Sequence, residues 1–342
     1  MNFAPNLYRS ALFLSLLVLA LVGRGEPVSS RASGSVAERS DLTIVKIRPS
    51  ATDAAIATFD TPHYVYLDHR VAGSRADEHT LPSRGLLLWI PGTQQGESEG
   101  PGGASAFCQL AAKLGYRAII LKYPNDESAS VCRTDSDPAA FEAFRLALIQ
   151  GGRSAHITIP RAESVEHRLV KLLEHLQRTR PAENWSQFLH GNQPQWSAIS
   201  VAGQSQGGGH AALLGIKHPV ARVICFGAPK DFSLALTAPA AWLRLDSATP
   251  KSAFFAFNHD QDRQGCSPAQ QAENLRALGL HRYGPPIDVD RTKAPYAHSR
   301  ILTTNYPGGK VTSREAHTTG ISPRNEAVFR EVWTYLLTEK TR

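Results

Sequence analysis

The sequence predicts an α/β protein in which a mostly parallel sheet carries helices on both faces. Three observations support this. Short apolar runs alternate with helix-length amphipathic segments along most of the chain. The run "GLLLWI" (85–90) is apolar throughout, the pattern of a strand buried on both faces. In 162–178, Val165, Leu169, Leu172, Leu173 and Leu176 recur at helical spacing on one face.

The elements follow in order. "LTIVKIR" (42–48) and "HYVYLD" (63–68) are the early strands, and "GLLLWI" follows a polar turn. "GASAFCQLAAKLG" (103–115) has helical spacing and stops at Gly115. "YRAIILKY" (116–123) is the next strand. A loop rich in Ser, Asp and Pro and the segment 139–150 then interrupt the alternation, before the helix of 162–178. "WSAISVAG" (196–203), "ARVICFG" (221–227), "SAFFAF" (252–257) and "SRILTTN" (299–305) are strands. "GGGHAALLGIK" (207–217), "PAQQAENLRALGL" (268–280) and "NEAVFREVWTYLLTEK" (325–340) are helices. No internal repeat or long linker divides the chain, which favours a single folded domain over 42–342.

Residues 1–25 are set apart. Arg9, an apolar stretch from Ala11 to Val22 and the small residues Gly23 and Gly25 have the layout of a secretory signal peptide. An uncleaved anchor is the other reading, although the run is short for a membrane span. Residues 26–41 are rich in Ser, Gly and Arg and are expected to form a flexible leader. The expected location is therefore outside the cell or in the periplasm, without stable membrane insertion. The net charge of +7 falls by two when Arg9 and Arg24 are removed, and no long basic run remains. That does not favour nucleic-acid binding. Cys108, Cys132, Cys225 and Cys266 fit no zinc or redox spacing. In an exported chain they allow up to two disulfides, and Cys108–Cys132 is the preferred pair. Cys225 also reads as a buried thiol.

The chemistry centres on "VAGQSQGGG" (201–209). Gly203, Ser205 and Gly207 form Gly-x-Ser-x-Gly between a strand and a helix. The chain must reverse sharply there, with Ser205 at the apex. Ser205 then projects above the sheet edge, and the N–H of Gln206 and the start of the helix favour negative charge beside it. With "LLLWIPGT" upstream and an acid and a histidine downstream, the chain resembles the α/β-hydrolase fold serine hydrolases over roughly 42–340. Among these it looks like secreted bacterial members with a "GQSQG" elbow.

The resemblance implies an oxyanion hole made by the Gln206 N–H and a second N–H in the loop after the third strand. There Pro91-Gly92-Thr93 replaces the family's frequent His-Gly, and the donor is Thr93 or Gln94. The order Ser, acid, His implies an acid just after "SAFFAF". Asp262 is preferred and Asp260 is the alternative; Asp231, after the preceding strand, fits less well. The base is expected at His317, between the last strand and the last helix, ahead of His298. No role follows for Gln204 or His210. Trp242 either shapes an apolar pocket or packs.

These readings imply an esterase or lipase-like enzyme acting on a small-molecule or lipid-like ester, with no metal or organic cofactor. The alternative is a non-catalytic hydrolase-fold protein that binds a ligand or partner.

Overall fold

A computed structural model of the protein describes residues 41–72, 81–96 and 98–341. The strands that matter here are β1 (Leu42–Ile47), β2 (His63–Asp68), β3 (Leu86–Ile90), β4 (Arg117–Ile120), β5 (Ile199–Gln204), β6 (Arg222–Phe226), β7 (Phe254–His259) and β8 (Ile301–Thr304). They form one sheet in the order β1-β2-β4-β3-β5-β6-β7-β8, with the two-residue strand Ile287–Asp288 beyond β8. β2 runs antiparallel to β1 and β4, and the remaining neighbours pair in parallel.

Every residue of β3, β5, β6 and β7 is buried, because helices cover both faces and leave no side for polar groups. In β3, Leu86, Leu88 and Ile90 enter one apolar cluster while Leu87 and Trp89 enter the other. The first cluster holds apolar residues of α2 (Ala140–Gln150), α3 (Val165–Thr179) and α4 (Gln206–Lys217). The second holds those of α1 (Ser105–Lys113) and α7 (Glu326–Thr338). α5 (Pro268–Ala277) and α6 (Ser313–Thr319) follow β7 and β8. α3 starts where Ser164 accepts a hydrogen bond from the His167 N–H, and it buries the five apolar residues of its predicted face.

Two departures from the sequence reading have clear causes. β4 stops at Ile120 and not at Tyr123: the Lys122 N–H donates to His63 Nδ1, and the following side chains turn to a neighbouring loop. The expected Cys108–Cys132 disulfide is absent, and all four cysteines are free and buried. Cys108 lies in one apolar cluster and Cys132 in the other, so the sheet stands between the two thiols.

The predicted signal segment and the leader as far as residue 40 lie outside the described residues. Among the described residues no helix is long and apolar enough to cross a membrane.

Candidate active site

β5 ends at Gln204 and α4 begins at Gln206, so Ser205 alone makes the reversal. Its backbone takes φ 58° and ψ −122°, a region that side chains with a Cβ rarely occupy. The turn is held from both sides: the Ser205 N–H donates to the Phe226 carbonyl, and its own carbonyl accepts from the Gly209 N–H. The flanking glycines are required by contact. A Cβ on Gly207 would stand 1.9 Å from the Ile90 oxygen, and one on Gly203 would stand 2.4 Å from the Gly207 carbonyl. Ser205 makes no side-chain hydrogen bond among the described residues, and it lines a cavity of about 590 Å³ that His317 also lines.

The glutamines on either side of Ser205 act as brackets. Gln204 Nε2 donates to the His317 carbonyl at 3.1 Å, which ties the histidine's helix to the elbow. Gln206 Oε1 accepts from the Ala129 N–H at 2.7 Å and from the Thr93 hydroxyl at 3.2 Å, and its Nε2 donates to the Glu127 carbonyl. One side chain thus joins the elbow to the loops after β3 and β4. The sequence reading missed both roles, since each partner lies at least 77 residues away along the chain.

The loop after β3 is anchored almost residue by residue. Tyr123 Oη donates to the Pro91 carbonyl, Asn125 Nδ2 to the Gly92 carbonyl, and Asn125 Oδ1 accepts from the Gly96 N–H. Lys122 Nζ reaches the carbonyls of Gln95, Ser98 and Gly100 at 2.8–2.9 Å. This separates the two candidate oxyanion donors. The Gln94 N–H is taken by the Asn125 carbonyl at 2.8 Å. The N–H groups of Thr93 and Gln206 have no partner among the described residues. The Thr93 hydroxyl is already donated to Gln206 and adds no donor.

Downstream, His317 Nδ1 lies 2.7 Å from Asp262 Oδ2. Asp262 is almost fully buried and follows a turn in which its N–H donates to the His259 carbonyl. Asp260 continues the pairing of β7 with β8 through its N–H to the Thr304 carbonyl, and its exposed side chain borders a separate cavity of about 390 Å³. The aspartate that meets His317 is therefore Asp262. His298 is elsewhere, with Nδ1 2.9 Å from Glu339. Lys230 Nζ reaches the same Asp262 oxygen at 2.8 Å, a contact the sequence did not suggest. A Cβ on Gly227 (φ 53°) would lie 3.3 Å from Asp262 Oδ2 and 3.4 Å from His317 Nδ1, so its absence leaves room for the pair. His317 sits on α6, which starts with a capping box between Thr312 and Glu315.

Burial pushes the Asp262 carboxyl up, but the His317 hydrogen bond and the Lys230 charge outweigh it and hold it below the usual carboxylate range. A depressed carboxylate stabilises the fold above its unfolded value, about 3.9, and that contribution is lost as pH falls through the lower folded value. The stability difference between wild type and Asp262→Asn, followed by denaturant unfolding, should therefore narrow as pH drops below about 4.

A buried ion pair lies under the elbow. Arg145 and Asp231 are each about 1% exposed; Arg145 Nε donates to Asp231 at 2.6 Å, and one terminal nitrogen donates to the Gln206 carbonyl at 2.8 Å. Trp242 Nε1 donates to the same aspartate at 2.8 Å. Trp242 is thus a packed, hydrogen-bonded residue that does not line the cavity, and Asp231 is committed to Arg145. His210 is fully buried against Arg145 and Tyr123, and burial keeps its ring neutral.

No family model and no curated protein matches the chain. Among solved structures, it is similar to a protein proposed to be a dienelactone hydrolase from Klebsiella pneumoniae, with 11% identity and a TM-score of 0.40. That match covers 87% of this chain and 99% of the other. It is also similar to a proposed hydrolase of the α/β superfamily from Xanthomonas campestris, with 14% identity and a TM-score of 0.33, covering 75% and 98%. The strand order, the antiparallel second strand and the sharp elbow after the fifth make the fold of this chain that of the α/β-hydrolases.

Proposed function

We propose that this chain is an exported serine hydrolase that cleaves carboxylic esters through an acyl-enzyme. One observation carries the reading: the hydrogen-bonded Asp262–His317 pair adjoins the cavity in which Ser205 occupies a strained apex. Export rests on the character of residues 1–25.

In this reading Asp262 accepts a hydrogen bond from the Nδ1–H of His317, which fixes the tautomer whose Nε2 lone pair acts as base. Ser205 Oγ bonds to the ester carbon as its proton passes to Nε2. The carbonyl oxygen becomes an oxyanion facing the N–H groups of Thr93 and Gln206. The C–O bond to the alcohol then breaks, and Nε2 returns the proton to the leaving oxygen. Water attacks the acyl-serine by the same steps, giving the acid and restoring Ser205. Ser205 Oγ makes no hydrogen bond to His317 among the described residues, and catalytic hydrogen bonds of this kind commonly form fully only in the Michaelis complex.

Stopped-flow mixing with p-nitrophenyl acetate tests the reading. The expected result is a burst of p-nitrophenol close to one equivalent of enzyme, followed by slower turnover. Folded protein that releases none would contradict it and favour the non-catalytic alternative. The acid is tested in parallel. Asp262→Asn should lower kcat by about 10^4, because the imidazole loses its correct tautomer, while Asp260→Asn stays near wild type. The reverse ranking would reassign the acid.

A further inference from the structure

The lining of the main cavity says which esters suit it. Among its described side chains only Ala129 and Phe141 are wholly hydrocarbon; the others carry an amide, hydroxyl, imidazole or charged group, as Gln95, Ser130 and Gln264 do. Four cationic side chains border it. Arg145 is matched by Asp231, and Lys230 by Asp262. Arg133 and Arg314 are matched by nothing: neither guanidinium has a hydrogen bond or ion pair among the described residues. Arg133 is half-buried in the wall made by 129–134, and its Nε is shielded from solvent without a partner. Arg314 stands one turn before His317 on α6. Every carboxylate in the described lining is already paired, so the cavity holds an excess of positive charge with no internal counter-charge.

The two terminal nitrogens of Arg133, unlike its Nε, are not shielded from solvent, and with no partner among the described residues they are free to meet a ligand in the cavity. A planar fork of N–H donors suits a carboxylate or phosphate oxygen pair. We propose that the substrate is an ester carrying an anionic group, carboxylate or phosphate, that docks on Arg133 with Arg314 assisting from the rim. The inference rests on the hydrolase reading for the chemistry but on the cavity alone for the charge.

The test compares kcat/KM for mono-p-nitrophenyl glutarate with that for p-nitrophenyl pentanoate, which has similar length and no charge. A second pair, 4-acetoxybenzoate and its methyl ester, places the charge on the alcohol side; p-nitrophenyl acetate with a free phosphate competitor separates phosphate from carboxylate recognition. The anionic member should be preferred in at least one pair, and that preference should shrink as ionic strength rises from about 0.02 to 0.5 M. Arg133→Gln should reduce the anionic-to-neutral ratio about tenfold, and exposed Arg314→Gln about threefold. Arg133→Lys should retain part of the preference. Each ratio is internal to one variant and does not depend on the fraction of folded protein.

Calorimetric titration of glutarate into Ser205→Ala, with and without Arg133→Gln, separates the two readings. Ester turnover with no anionic preference, or a preference untouched by Arg133→Gln, would overturn the inference and leave the hydrolase standing. Glutarate binding that depends on Arg133 in a protein without turnover would support the anion site and sink the hydrolase. Neither binding nor preference would overturn the inference outright.

Discussion

Ser205→Ala should lower kcat for p-nitrophenyl acetate by about 10^4 or more while leaving the fold intact. The size follows from how little can replace this hydroxyl. It stands alone at the apex between β5 and α4. The nearby Thr93 hydroxyl is donated to Gln206 and is not free to act. Oxyanion donors without a nucleophile retain only the small residual rate that positioned N–H groups provide. Stability should barely change, because alanine carries the same Cβ into φ 58° as serine does. Glycine has no Cβ to strain there, so Ser205→Gly should gain about 1 kcal/mol in denaturant unfolding while being equally inactive. Activity and stability would then move in opposite directions at one position, as a nucleophile held under strain requires.

The largest effect on folding is expected at Gly207. A Cβ there meets the Ile90 oxygen at 1.9 Å and the Pro91 oxygen at 2.5 Å, and neither carbonyl can retreat. β3 is paired on both sides, with β4 and β5, and the Pro91 carbonyl accepts the Tyr123 hydroxyl at 2.9 Å. Gly207→Ala should therefore cost about 3 kcal/mol or more in urea unfolding, or prevent soluble expression. Gly100→Ala is the control. A Cβ there finds only the Gly102 nitrogen at 3.8 Å, and the change should stay within about 0.5 kcal/mol. Equal tolerance at both positions would mean that the elbow does not pack as described.

The strands were legible because burial on both faces writes itself as unbroken apolar runs, and "GLLLWI" is such a run. Long helices were legible from the 3.6-residue period, as Val165 to Leu176 illustrate. What the sequence concealed depends on distant partners. Arg145 and Asp231 are 86 residues apart, and nothing local announces that they meet under the elbow. The clamps made by Gln204, Gln206, Lys122 and Asn125 have the same character. Cysteine spacing misled because it does not record which face of the sheet each thiol occupies. The helix bearing His317 was readable in part: Thr312 and Glu315 are a capping-box pair three residues apart, but seven residues are too few to show a helical period. The choice between Asp262 and Asp260 turned on one reversal after β7, which local composition does not decide.

Covalent labelling tests most directly whether Ser205 is the nucleophile. Wild-type protein and Ser205→Ala would be treated with a fluorophosphonate probe, digested, and mapped by mass spectrometry. A single adduct on Ser205 in the wild type and none in the variant is the expected result. Folded wild-type protein that takes up no label, or a variant that labels as well as the wild type, would contradict it.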